Sequence, residues 1–230
     1  MSEALAQMIL PLRFDQSYSF DNFYDEDEFV LHALVSAIQS PAEHFVLISG
    51  GIASGKTHLI NASAAFCQKN GIAFQYFNAE QLMQYGSDII TACSESSVLL
   101  IDDIQLLAGN SEWERKLYDL YNESQRENWI FIAACKKDNL ASFELKDLCS
   151  RLDSGFQLTL DSRDETTLKK IIEFRTHLLG LSINKDVLNY LFSHYPRDLK
   201  QQLNLIKKLS ERSLVQKRKL TIPFIKATME

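Results

Sequence analysis

The sequence predicts a parallel α/β sheet built around a phosphate-binding loop, followed by a small all-helical domain. Three observations carry this. The apolar run Phe45-Val46-Leu47-Ile48 feeds directly into Gly50-Gly51-Ile52-Ala53-Ser54-Gly55-Lys56-Thr57; short apolar runs then alternate with helical spacing to about residue 160; beyond residue 161 only helical patterns remain. Strands alternating with helices are what a parallel sheet with crossover connections requires, and such sheets bind ligands at the C-terminal ends of their strands.

The loop explains its own spacing. A nucleoside triphosphate presents crowded anionic oxygens, and glycines at both ends of residues 50–57 let the backbone curl so that successive N–H groups converge on them. Lys56 supplies a mobile positive charge for the outer phosphates, and Thr57 a hydroxyl for Mg²⁺. Residues 58–66, starting at His58, keep helical spacing. Residues Gly50, Gly51, Ile52, Ala53, Ser54, Gly55, Lys56, Thr57 and His58 are therefore expected to hold nucleotide at a helix N-terminus, whose dipole also favours anions. The pattern arises by chance in roughly one chain in a hundred of this length, and few such accidents fall between a buried strand and a helix.

The remaining elements follow in order. Pro11 forbids a helix interior and forces Leu10 toward an extended conformation, so residues 1–13 read as a tail carrying a short apolar strip. The acidic Asp25-Glu26-Asp27-Glu28 suits the start of a helix over 29–38, by charge–dipole matching. After the loop and its helix come a second strand over 71–77, a short helix over 79–85 and a third strand over 98–101 that ends in Asp102-Asp103. An amphipathic helix over 113–125, a fully apolar strand over 129–134 and a fifth strand over 156–160 complete a nucleotide-binding domain of residues 14–161. Helices over 165–179 (closed by Gly180), 184–193, 197–216 and 222–229 (capped by Thr221) form a lid domain of residues 162–230.

Composition narrows the function. The 230 residues are 46% hydrophobic, ample for a core, and carry 24 Lys and Arg against 30 Asp and Glu, for a net charge of -6. That balance offers no broad basic face for nucleic acid, so protein partners or small ligands are expected; a direct DNA-binding module is disfavoured, and Lys207, Lys208, Lys217, Arg218 and Lys219, which could form a local basic face, read instead as a solvated helix surface. Cys67, Cys93, Cys135 and Cys149 lie far apart and suggest neither a zinc site nor a disulfide framework. No apolar run approaches the ~20 residues of a membrane span and no signal peptide is evident, so the reducing cytoplasm is the expected compartment.

Asp102 and Asp103 stand where a phosphate-loop enzyme needs carboxylates: Asp102 to order the Mg²⁺ shell, Asp103 to polarise an attacking water. Here a resemblance becomes specific. Residues 50–57, Val98-Leu99-Leu100-Ile101-Asp102-Asp103-Ile104-Gln105, Leu107-Ala108-Gly109, Phe20-Asp21-Asn22-Phe23, Ser150-Arg151-Leu152-Asp153-Ser154-Gly155 and Arg197-Asp198-Leu199 together resemble the AAA+ core of the bacterial replication initiator DnaA, over about residues 14–230. The chain ends where the initiator continues into its DNA-binding domain, and residues 80–97 look too short for the initiator's paired helices that engage single-stranded DNA. Residues 7–12 are similar to the sliding-clamp-binding peptide of the DnaA regulatory inactivator, Hda, and the chain is identified as a member of that family.

The resemblance implies an AAA+ P-loop core with a helical lid that binds ADP or ATP with Mg²⁺. Asp102 and Asp103 form the second nucleotide motif, Arg197 is the lid's sensor arginine, and Arg151 is an arginine finger acting on a partner's nucleotide. Gln7, Met8, Leu10, Pro11 and Leu12 would dock on the DNA polymerase III beta sliding clamp, and the initiator DnaA would be the partner whose ATP is hydrolysed. Where the family has a polar sensor at the end of the fourth strand, this chain has Ala134-Cys135-Lys136, which implies that its own ATPase activity is weak or absent. The plainer alternatives are a surface ion pair for Arg151, a helix start for Arg197 and an apolar tail folded on its own domain for residues 7–12. A rival function is an AAA+ loader or remodelling ATPase with its own turnover; the oligomeric state, a homo-oligomer included, stays open.

Overall fold

The computed structural model describes residues 14–40, 43–90 and 98–229, and the chain divides into two units, Met1–Leu160 and Asp161–Glu230. The apolar strip at residues 7–12 and Cys93 lie outside the described residues.

The first unit is built on five parallel strands, β1 (Phe45–Gly50), β2 (Phe74–Asn78), β3 (Val98–Asp102), β4 (Ile130–Lys136) and β5 (Phe156–Leu160), in the spatial order β2-β3-β4-β1-β5. β1 and β3 are buried along their whole length, because both faces are covered. The period of two in a strand sends alternate residues to opposite layers. Leu47, Leu99, Ile101, Phe131 and Ala133 join one core, which contains Trp113 and Leu117 of α4 (Ser111–Glu127) and Leu148 and Leu152 of α5 (Lys146–Ser154). Val46, Ile48, Leu100, Ile132 and Ala134 join the other, with Leu34 of α1 (Phe29–Gln39) and Leu59, Ile60 and Ala64 of α2 (Lys56–Asn70). Each such side chain, fully buried, contributes about 1.5–3 kcal/mol relative to exposure. Trp113 and Trp129 are core residues.

Element boundaries differ from the sequence reading where a cap intervenes. Gly71 closes α2 at φ +67°, its N–H reaching the carbonyls of Cys67 and Gln68, so β2 starts at Phe74 and not at residue 71. The following helix, α3 (Ala79–Leu82), is a single turn that stops short of residue 85. Helix α5 has no counterpart among the elements the sequence predicts, since only Leu148 and Leu152 of its nine residues are buried and so short an apolar stripe is a weak signal.

Among the described residues the second unit consists of α6 (Glu165–Leu178), α7 (Lys185–His194), α8 (Leu199–Gln216) and α9 (Ile222–Met229), packed around Ile172, Leu188, Leu191, Ile206, Leu209 and Ile225. Three of these helices start the same way. Asp164, Asn184 and Asp198 each accept a hydrogen bond from the backbone N–H three residues on, satisfying a donor the helix cannot. Asp198 therefore starts α8 at Leu199, leaving Arg197 outside the helix. No helix among the described residues is long and apolar enough to cross a membrane.

Candidate nucleotide-binding site

The site begins where β1 runs out. A Cβ on Gly50 would lie 2.6 Å from Ser54 Oγ and 2.8 Å from the Leu160 carbonyl, so the strand end and β5 close on a position only glycine can fill. Gly55, at φ +108°, turns the chain into α2, and Ala53 holds a positive φ of +58°, a conformation L-residues with a side chain seldom adopt. Ile52 stands out at the loop tip, 82% exposed.

Lys56 is buried and its ammonium donates to the carbonyls of Gly50 (3.0 Å) and Gly51 (2.7 Å), folded back across the loop. Burial lowers its pKa, against the opposing pull of the Asp103 and Asp102 carboxylates. Thr57 is exposed at the start of α2. His58 is directed elsewhere: its Nε2 lies 3.0 Å from the Ser19 carbonyl and its ring packs on Tyr18 and Phe23, fastening residues 18–23 to α2.

Asp102 ends β3 with no exposed surface, and neither carboxylate oxygen has a hydrogen-bond partner. Burial first, and the neighbouring Asp103 carboxylate second, raise its pKa to about 6, although the nearby Thr57 hydroxyl and the Lys56 charge pull the other way. Buried polar groups are normally paired, and an unpaired carboxylate beside a phosphate loop fits a cation or its water shell. Asp103 sits in the left-handed region at φ +58° and accepts a hydrogen bond from Gln105 Nε2 (2.8 Å). Gln105 Oε1 in turn accepts the Lys136 N–H (2.9 Å), tying Asp103 to the end of β4. Beside it Cys135 is buried, and burial raises its thiol to about 12, so the expected sensor position holds a neutral, weak donor. The only local sign of this bridge is the place of Gln105, two residues after Asp103.

Arg151 is exposed on α5, its guanidinium 5.5 Å from the centre of the Tyr121 ring on α4. The start of α5 has no side-chain cap of its own. Glu114 of α4, 1% exposed, supplies one, accepting the N–H groups of Glu144 and Leu145 and also that of Gly109 at 2.6–3.1 Å. Nothing in the helical pattern of α4 distinguished this residue. Arg197 belongs to the second unit, where its guanidinium pairs with Glu165 at 3.0 Å.

A model of the bacterial DnaA ATPase domain matches residues 14–162, and a model of the Hda lid domain matches residues 164–229. The chain belongs to the bacterial DnaA ATPase-domain family, with an Hda-type lid. Among solved structures, this DnaA-type chain is similar to domain III of the replication initiation protein DnaA from Thermotoga maritima. That match has 22% identity and a TM-score of 0.72 over 94% of this chain and 97% of the other. It is similar also to AMPPCP-bound DnaA from Aquifex aeolicus, at 21% identity and a TM-score of 0.71 over 89% of this chain and 69% of the other. The RuvB Holliday junction branch migration motor of Thermotoga maritima shares the fold at 22% identity and a TM-score of 0.65, over 94% and 72%. The fold is AAA+, a parallel sheet flanked by helices with a helical lid, in a family of nucleotide-binding regulators of replication initiation.

Proposed function

We propose that this chain is a nucleotide-dependent regulator that stimulates ATP hydrolysis by the initiator DnaA and so inactivates it. In this reading it holds ADP or ATP through residues 50–57, docks on the DNA polymerase III beta sliding clamp through residues 7–12, and donates Arg151 to nucleotide held by the initiator. Thr57 and Asp102 would hold Mg²⁺, which when bound neutralises charge on the phosphate oxygens. Lys56 leaves the loop carbonyls for the outer phosphates, and Arg197 serves as the sensor arginine of the helical unit.

The placement of Arg151 carries the proposal. Helix α5 packs on the sheet face opposite α2 and leads into the start of β5, whereas the phosphate loop leaves the end of β1, which is paired with the end of β5. Those two ends are the first and last of the five residues of β5, about 13 Å apart. An exposed arginine on the far face, held by a ring and, among the described residues, not by a carboxylate, is suited to another chain's phosphate. Guanidinium supplies the fixed, planar charge that phosphoryl transfer needs. Cys135 supports weak turnover at the chain's own site, because a neutral buried thiol is a poor substitute for a polar sensor.

The test is phosphate release by this protein alone, by the initiator alone, and by both with DNA-loaded clamp. Turnover that appears only in the mixture supports the regulator. Strong turnover by this protein alone replaces it with a loader or remodelling ATPase.

A further inference from the structure

The net charge of -6 is the sum over two units of opposite sign. Residues 1–160 hold 10 Lys and Arg against 22 Asp and Glu, whereas residues 161–230 hold 14 against 8. Within the second unit the imbalance is sharper still: residues 199–229 carry eight Lys and Arg and a single acid, Glu211. From this concentration we infer that the helical unit has a docking surface for the phosphate backbone of duplex DNA, running along the exposed side of α8, across residues 217–219 and onto α9.

The cations are placed to act together. Lys208 and Arg212 are four residues apart on α8 and so share a face, roughly 6 Å between their Cβ atoms. Arg212 donates to the Thr228 carbonyl of α9 at 2.6 Å. Thr228 also lines an open cleft of about 520 Å³ whose other walls include Arg218, Lys219 and Thr221, which makes the α8 row and the cleft continuous. Lys207, Lys208, Lys217, Arg218 and Lys219 are all exposed, and among the described residues none of them pairs with a carboxylate. Their charge is left for an outside partner.

Duplex DNA is the polyanion these features favour. It offers one charge per ~1.7 Å of axis, and neutralising its phosphates releases counterions, a gain that needs only a row of unpaired cations. A bilayer would also need an apolar face to bury, but α8 turns Leu205, Ile206 and Leu209 into its own core and exposes only Leu214 and Val215. The surface uses neither Arg151 nor residues 7–12, so it stands or falls apart from the proposed regulation of the initiator.

Fluorescence anisotropy of the full chain with a labelled duplex of about 30 base pairs, from about 25 to about 200 mM salt, tests the inference. The expected result is sequence-independent binding in the micromolar to 100-micromolar range, with a log–log salt slope of roughly -4 to -5. The triple variant Lys217→Glu, Arg218→Glu, Lys219→Glu should lose at least tenfold and flatten the slope by about 3. A control with the same charge change in the first unit, Arg115→Glu, Arg126→Glu, Lys146→Glu, should lose much less. Should the triple variant fail to fold, as judged by circular dichroism, the pair Lys207→Glu, Lys208→Glu takes its place. Absence of binding at about 25 mM salt, an equal loss in the control, or capture by phosphatidylglycerol vesicles in preference to duplex each overturns the inference.

Discussion

At Asp102 the fold keeps a carboxylate out of water with no hydrogen bond to either oxygen, and its pKa rises from the ordinary 3.8 to about 6. The linkage has a definite sign. Below the ordinary value both folded and unfolded chains hold the proton and no penalty exists. As pH rises from 3.8 to about 6 the unfolded chain releases it first, so the nucleotide-free protein loses stability across that window, by roughly 3 kcal/mol at most. Asp102→Asn removes the titration. In thermal melts without nucleotide the variant should therefore gain on wild type as pH rises from 5 to 7.5, while losing Mg²⁺-dependent nucleotide affinity. A gap in melting temperature that stays constant with pH would show that Asp102 is not the strained group. Lys56 faces the opposite demand, since removing it leaves phosphate charge with backbone dipoles and the Thr57 hydroxyl alone. Lys56→Ala is expected to weaken adenine-nucleotide binding at least tenfold, roughly 1.4 kcal/mol or more, by calorimetry. Unchanged affinity would remove the site assignment.

Among the elements, α4 links the nucleotide side of the first unit to the proposed finger helix. Near its start Glu114 gathers the N–H groups of Gly109, Glu144 and Leu145, and two turns later Tyr121 underlies the Arg151 guanidinium. A buried carboxylate that accepts several backbone bonds is expensive to alter, because its partners cannot find water. Glu114→Gln keeps the volume but turns an amide NH₂ toward N–H donors. It should cost about 1–3 kcal/mol in denaturant unfolding and speed hydrogen exchange at Glu144 and Leu145 before the rest of the sheet. If exchange rises equally everywhere, Glu114 supports the whole unit and is no particular brace for α5.

For the whole molecule, the proposed activity needs two other chains, and each contact should fail separately. Arg151→Ala should eliminate most stimulation of the initiator's ATPase while nucleotide and clamp binding persist, since a donated arginine can be worth 10³ to 10⁵ in rate. Arg151→Lys should rescue poorly, lacking the planar fork. Wild-type stimulation by Arg151→Ala would favour the loader reading. Replacing Gln7 and Leu10 by Ala should abolish clamp binding with no change in melting temperature; an unfolded or destabilised double variant would mean that residues 7–12 belong to the core.

The sequence by itself determined the sheet, the phosphate loop and the helical second unit, because each rests on local rules. Apolar runs of strand length, glycines that free a loop backbone and Asp or Asn caps act within a few residues of the chain, so they can be read in order. Gly50 was legible as part of a motif, but its reason lies in the Leu160 carbonyl across the sheet, 110 residues away. The unpaired state of Asp102, the bridge from Asp103 through Gln105 to Lys136, and the capping of α5 by Glu114 are likewise contacts between distant segments. No local pattern encodes them, since a carboxylate on an amphipathic helix looks the same whether it faces solvent or a buried helix end. The separation of charge was present in the sequence but hidden by its total, and it emerges once the charges are counted over each unit.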